Sequence, residues 1–343
     1  MTLPQQLILP DFKKMCPWTS SINPHYETAG LESANWIESF GIFQGAKRAQ
    51  YRAAAADLLA ARTYPYAGYE DYRTACDFLH LLFIVDEICD EQDGPAAART
   101  GEQVLQVMKG EKLGINFEDS PFLRIIQEWR ERFYRKDIPV AQKRFMKAFS
   151  NYLDAVSHES GLRDQHHIIT VDEYPALRRE FSGTQPAFAM FQYIHGINLS
   201  DAVFEDPTFM SLYWAAVDMV NISNDVYSFK VEHFQGLDES NLMTLMIHNE
   251  GINLQAAANK IGERFAGLVN TFSNGKAQLP SFKLMPGGYD GIDEDVAKFV
   301  RSLEQWVVGN LFWSFETPRY FGPEREEIAH SLVVDIRSPP ILI

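Results

Sequence analysis

From residue 31 to about residue 313 the apolar residues return at helical spacing, and nowhere do they alternate convincingly like a strand. Tyr69 to Glu87 shows the pattern plainly, with Ala75, Phe78, Leu79, Leu82, Phe83 and Val85 on its apolar side. Further helices are predicted over 31–43, 46–61, 96–108, 122–134, 139–158, 171–181, 187–195, 208–232, 241–249, 253–272 and 294–313. Gly94-Pro95 should end or interrupt one helix, Ser182-Gly183 should break another, and Pro186 suits the first turn of the next. Residues 1–30 carry four prolines and read as irregular, 273–291 reads as the longest loop, and 321–343 as a C-terminal tail. At 343 residues two domains would be possible. No repeat or composition shift divides the chain, so a single all-α domain over 1–343 is expected.

Two stretches of this helical pattern end in unusual polarity. The first is Asp86-Glu87-Ile88-Cys89-Asp90-Glu91, directly after an apolar run. Asp86 and Asp90 are four apart and share a helix face. A hard cation such as magnesium takes oxygen ligands and keeps several waters, so one or two carboxylates and phosphate oxygens would hold it. Alone, this patch reads somewhat better as a solvated acidic helix end. The second stretch begins at Asn224-Asp225. Its Asn224, Ser228 and Glu232 recur every four residues and stack along one face, three oxygen ligands of differing charge. The preceding run Tyr213-Trp214-Ala215-Ala216-Val217 implies a buried helix, where a solvent-facing polar stripe is a poor explanation.

The net charge of −15 argues against nucleic acid and anionic membrane surfaces as partners. An anionic ligand would need metal ions and a few placed cations to reverse the local field. Cys16, Cys76 and Cys89 form no paired motif, so neither a disulfide framework nor a zinc site is suggested, and a reducing, cytoplasmic setting is expected. No signal peptide is evident, and no run of about 18 apolar residues suggests a membrane span. Whether the protein is a monomer or a homodimer is open.

Together the D-E-x-x-D and N-D-x-x-S-x-x-x-E patterns resemble the two metal motifs of class I terpene synthases, the basidiomycete sesquiterpene cyclases most of all. Arg178 stands 46 residues before Asn224, at the family's diphosphate-sensing position. Arg178-Arg179-Glu180-Phe181-Ser182-Gly183 is similar to the family's broken helix, Arg319-Tyr320 matches its Arg-Tyr pair, and Trp313 falls where an aromatic lines the cavity wall. The resemblance covers roughly residues 70–320. Two departures stand out. The family often has Lys directly before the last Glu of the second motif. Here that position is Val231, and Lys230 lies about 100° around the helix. Glu87 also replaces a common second Asp.

The resemblance implies a helical bundle around a central active-site cavity, and a magnesium-dependent enzyme with a trinuclear metal cluster held by Asp86, Glu87, Asp90, Asn224, Ser228 and Glu232. Its substrate would be a prenyl diphosphate, farnesyl diphosphate foremost, converted to a cyclic sesquiterpene hydrocarbon or alcohol. Arg178, Arg319, Tyr320 and Lys230 would contact the diphosphate as the carbon–oxygen bond ionises. A main-chain carbonyl at the Gly183 break would face the reacting carbon. Phe83 and Trp313, with Phe188 and Tyr193 as further candidates, would shield and stabilise the carbocation. Adjacent on a helix, Arg178 and Arg179 must point differently, so Arg179 is expected to face solvent or pair elsewhere. Alternatives are a chain-elongating trans-prenyltransferase, which would carry two Asp-rich motifs, and a helical protein that binds prenyl diphosphate without turnover. A di-metal carboxylate bundle would need paired Glu-x-x-His motifs, and only Glu327-Ile328-Ala329-His330 truly fits.

Overall fold

The computed structural model describes residues 6–111, 120–165 and 167–339. Residues 1–5 of the irregular segment and 340–343 of the tail lie outside the described residues. Helices dominate: α1 (Phe12–Met15), α2 (Leu31–Glu38), α3 (Gly45–Ala53), α4 (Ala56–Thr63), α5 (Tyr69–Cys89) and α6 (Gly94–Lys109). Then come α7 (Pro121–Phe133), α8 (Pro139–Asp164), α9 (Tyr174–Phe181), α10 (Thr184–His195), α11 (Asp201–Glu205) and α12 (Pro207–Gln235). The last are α13 (Leu242–Glu250), α14 (Leu254–Ala277), α15 (Ile292–Glu316), α16 (Pro318–Phe321) and α17 (Arg325–Ser331).

Several boundaries differ from expectation. The helix predicted over 46–61 is two, because Ala55 takes a left-handed conformation (φ 48°) between α3 and α4. Alanine has the highest helix propensity, so tertiary packing overrides local preference there. The helix before Gly94-Pro95 does end, at Cys89, and Gly94-Pro95 opens α6. The Asp93 carboxylate accepts from the Ala96 N–H, and proline sits in the first turn, where it forfeits no hydrogen bond. A side chain at Gly94 would strike the Gly161 backbone at 3.0 Å, so glycine permits the close approach of α6 to α8. Helix α14 runs on to Ala277 and shortens the expected loop. The segments read as an irregular start and a tail carry a two-stranded antiparallel ladder, β1 (Gln6–Ile8) with β2 (Val333–Asp335). Gln255 completes the free edge of β1: its Oε1 accepts from the Ile8 N–H and its Nε2 donates to the Ile8 carbonyl, both at 2.9 Å.

The residues group into two compact units, one of residues 1–20, 167–179 and 199–343, the other of 21–166 and 180–198. In the first, α12 is the central rod, packed on α14 and α15. Phe12, Tyr227, Phe265, Phe315 and Phe321 meet ring to ring around it. In the second, α5 runs among α2, α4, α7 and α10, and α8 packs on α6 and α10. Phe78, Trp129, Phe133, Phe145 and Phe149 form its aromatic core, all fully buried. Burying each such ring stabilises the unit by about 2–3 kcal/mol.

Candidate functional site

Helix α12 has firm ends. The Asp206 carboxylate accepts from the Phe209 N–H, Pro207 occupies the first turn, and Gly236 closes the helix at φ 72°. Leu212, Ala216, Val217, Met219, Ile222 and Phe229 are almost wholly buried, on every side of the helix. Polar groups on such a rod must find partners, and they do. The Asn224 Oδ1 accepts from Arg178 Nη2 at 2.8 Å, and its Nδ2 donates to the Tyr320 hydroxyl at 2.9 Å. The Ser228 hydroxyl donates to the Asn224 carbonyl, and Glu232 Oε2 accepts from Asn241 Nδ2 at 2.9 Å. Burial pushes the Glu232 carboxyl up to about 7, the Asp225 charge adds to the push, and hydrogen bonds from Ser228 and Asn241 oppose it. Asn224, Ser228 and Glu232 thus share one face, as their spacing predicts.

Asp225 is a hub that sequence reasoning did not single out. It is 1% exposed and accepts from Tyr174 Oη at 2.6 Å, Arg178 Nε at 3.0 Å, Arg178 Nη2 at 2.9 Å and the Leu242 N–H at 2.9 Å. Helix α9 is further tied to α12 by Asn221, whose amide donates to the Arg178 carbonyl, and by a two-pronged pair between Arg179 and Asp218 at 2.8 and 2.7 Å. The Arg179 guanidinium also lies over the Trp214 ring, 4.8 Å from its centre. The two arginines do point apart: Arg178 to Asn224 and Asp225, Arg179 back along the same helix.

Arg319 and Tyr320 sit on α16, whose start is capped by the Thr317 hydroxyl and Pro318. Burial raises the Tyr320 phenol pKa, keeping it a neutral hydroxyl. Arg319 lies 5.9 Å from the Tyr320 ring centre. Trp313 is 2% exposed and meets Tyr320 edge to face at 5.6 Å, so it braces that ring. Lys230 is buried. Asp335 on β2, held below the usual carboxylate range chiefly by the Arg337 N–H, is also drawn down by the Lys230 charge.

In the second unit, Leu82, Phe83 and Asp86 are half-buried on successive turns of α5. Asp90 is the cap residue just past the end of that helix. Glu87 and Glu91 meet Lys47 at 3.8 and 2.6 Å, and Asp90 meets Arg163 at 3.2 Å. Lys47 also donates to the Glu87 carbonyl, and Arg163 to those of Cys89 and Asp90, so both cations satisfy carbonyls at the helix C-terminus. Gly183 takes the left-handed conformation (φ 66°) between α9 and α10. A Cβ there would lie 3.6 Å from Tyr152 and 3.7 Å from Leu82, which places the break against the α5 face that carries Leu82 and Asp86. Phe188 and Tyr193 are core residues: Phe188 is fully buried and stacked on Phe191, and Tyr193 on Phe133. Helix α10 buries nearly all of its residues.

The donor set fits a hard divalent cation. Asn224, Ser228 and Glu232 offer oxygens only, one of them anionic. Hydrogen bonds from Arg178 and Asn241, and those of Asn224 and Ser228, give this amide–hydroxyl–carboxylate face of α12 a built environment. Lys47, Arg163, Asp218, Asn221, Asp225 and Asn241 were not found from sequence. For Asn241 a signal existed, since an Asn before an apolar run reads as a helix cap.

The family described as terpene synthase family 2, C-terminal metal binding, matches residues 77–271. Linoleate 10R-lipoxygenase COP4 of Coprinopsis cinerea is 37% identical over 339 residues, 98% of this chain and 95% of its own. Bifunctional terpene synthase Agr4 of Cyclocybe aegerita is 38% identical over 336 residues, 98% of this chain and 94% of its own. Sesquiterpene synthase Agr1 of the same species is 32% identical over 339 residues, 97% and 93% respectively. Among solved structures, hedycaryol synthase in complex with HEPES superposes with a TM-score of 0.77 at 21% identity, over 91% of this chain and 99% of that one, a likeness of fold. No helix among the described residues is long and apolar enough to cross a membrane. By the family match over more than half its length and by relatives spanning nearly all of it, the chain belongs to terpene synthase family 2.

Proposed function

We propose that the protein is a magnesium-dependent sesquiterpene synthase, acting as a single catalytic domain, that ionises farnesyl diphosphate and cyclises the resulting carbocation. The observation that carries this reading is the hydrogen-bonded chain Arg178–Asn224–Tyr320 beside the oxygen face of Ser228 and Glu232. It joins a cation, a phenol and a metal-type donor set within one part-buried network. The relative named a sesquiterpene synthase supports the fifteen-carbon substrate.

Asn224, Ser228 and Glu232 would hold one magnesium ion, and Asp86, with Glu87 and Asp90, would also serve as oxygen ligands to magnesium. Bound magnesium would neutralise the diphosphate as the allylic carbon–oxygen bond breaks. Arg178 and Tyr320 would donate hydrogen bonds to the departing diphosphate, joined by Arg319 and, if it leaves its present surroundings, Lys230. Phe83 would turn its ring to the cation, and Trp313 would keep Tyr320 in place.

Fatty-acid oxygenation, the activity in one relative's name, is less well supported. A non-haem iron centre favours His with carboxylate, whereas the α12 face offers amide, hydroxyl and carboxylate oxygens. The test is to incubate purified protein with geranyl, farnesyl and geranylgeranyl diphosphates, with and without Mg²⁺, and to read volatile products by gas chromatography–mass spectrometry. A cyclic fifteen-carbon product only with Mg²⁺ is expected. A longer linear diphosphate would mean a prenyltransferase, and tight diphosphate binding without product a binding protein.

A further inference from the structure

Asn241 is 2% exposed and uses every polar atom of its side chain. One amide N–H donates to Glu232 Oε2 at 2.9 Å and the other to the Asp225 carbonyl at 2.8 Å. The Oδ1 accepts from the Met243 N–H at 2.9 Å, capping α13. The reversed amide would set oxygen against the Glu232 carboxylate and the Asp225 carbonyl, and NH₂ against an N–H, so the orientation follows from the network. Capping alone does not call for asparagine, because Ser, Thr or Asp would cap equally well. An acceptor and two donors at this reach are what Asn uniquely offers. The next residue repeats the attachment, since the Leu242 N–H donates to the Asp225 carboxylate that grips Arg178.

We propose that Asn241 is a positioning residue for the metal site: its amide holds the Glu232 carboxylate in the orientation that receives the cation, and ties it through Asp225 to the helix that carries Arg178. This rests on the reading that Glu232 is a metal ligand. Partners that orient a ligand without touching the metal typically affect affinity about 10–100-fold.

The test separates capping from ligand positioning. Asn241→Ser keeps an acceptor for the Met243 N–H and removes both amide donors. Asn241→Asp keeps the cap and the size but sets a second carboxylate against Glu232. Binding of Mn²⁺ in the presence of inorganic diphosphate would be followed by electron paramagnetic resonance, alongside thermal unfolding. The expected result is a roughly 10–100-fold weaker Mn²⁺ affinity in the Ser variant, a larger loss in the Asp variant, and a single cooperative unfolding transition for the Ser variant, lowered by a few degrees for the acceptors left without a donor. Wild-type Mn²⁺ affinity in the folded variants would overturn the inference while leaving the proposed function intact. If one variant fails to fold, the other decides. Failure of the wild-type protein to bind Mn²⁺ with diphosphate would instead remove the proposed function, and this inference with it.

Discussion

Asp225→Asn is a near-isosteric change whose cost can be worked from its contacts. One carboxylate oxygen takes both N–H groups of the Arg178 fork, and the other takes the Tyr174 hydroxyl and the Leu242 N–H. Asparagine has a single acceptor oxygen, so its NH₂ must oppose two donors. The cheaper placement turns NH₂ toward Tyr174, whose hydroxyl can rotate and accept, and toward Leu242, whose N–H cannot. That orphans one buried N–H, at about 1–3 kcal/mol. It also leaves the Arg178 charge facing a neutral oxygen in place of a carboxylate. Removing one partner of a buried ion pair costs about 3–5 kcal/mol. Arg178 retains 15% side-chain exposure, so water recovers part of this, and a loss of about 3 kcal/mol is expected. Urea unfolding of wild type and variant at one pH measures it directly. Loss of catalytic turnover should accompany it, because Arg178 loses the partner that sets its angle toward Asn224. A stability change under about 1 kcal/mol would refute the reasoning, since it would mean that Asp225 is not the obligatory partner of these four donors.

Gly183→Ala should fold but unfold a few degrees lower: the new methyl finds ordinary contacts at 3.6 Å, while a left-handed alanine costs about 1–2 kcal/mol. A wild-type melting curve would show that the backbone there is not held left-handed. Arg179→Lys and Asp218→Asn should each destabilise the protein, and the double variant should be no worse than the poorer single one, with a coupling of about 1–3 kcal/mol in a double-mutant cycle. Additive losses would mean the two-pronged pair contributes little. His80 is buried, its Nδ1 2.7 Å from the Tyr51 hydroxyl, and burial, aided by the Arg73 charge, lowers its pKa from 6.5 to about 3. The unfolded chain therefore binds a proton that the folded one refuses, and stability falls as pH drops below 6.5 toward 3. From pH 6 to 4.5 this group alone should remove about 2 kcal/mol. In His80→Phe the acid slope of urea midpoints should be shallower by that amount, and an unchanged slope would place the acid sensitivity elsewhere.

What could be seen in the chain before its structure follows from what periodicity reports. An apolar stripe reveals which face is buried, and caps reveal where a helix starts and stops. The predicted 208–232 segment therefore lies within α12, short of its true ends by one residue at the start and three at the finish. The Asn224–Ser228–Glu232 face was legible for the same reason, since four-residue spacing is a local property. The left-handed Ala55 was not, because nothing in an alanine-rich run announces a turn. The β1–β2 ladder was hidden because three residues on each strand are too few for alternation to register, and its partners lie at opposite ends of the chain. The same limit hid Asp225 and Asn241, whose importance lies in which groups meet them.

The difference between the two acidic motifs also has a physical cause. The α5 motif lies at a helix end with partial exposure, where several carboxylates are tolerable, the more so with Lys47 and Arg163 against three of them. The α12 motif lies on a helix buried nearly all round, where each further carboxylate would carry a desolvation cost of several kcal/mol. A single carboxylate with an amide and a hydroxyl supplies three oxygens while placing one charge, that of the half-buried Glu232, on that face, where burial and the Asp225 charge push its pKa up. Asp225, also buried, is tolerated beside them because Arg178 neutralises it. In a chain of net charge −15, the less acidic motif is thus the one whose position demands it. Its residue types record the burial of the helix, which is why it was the more informative of the two in the bare sequence.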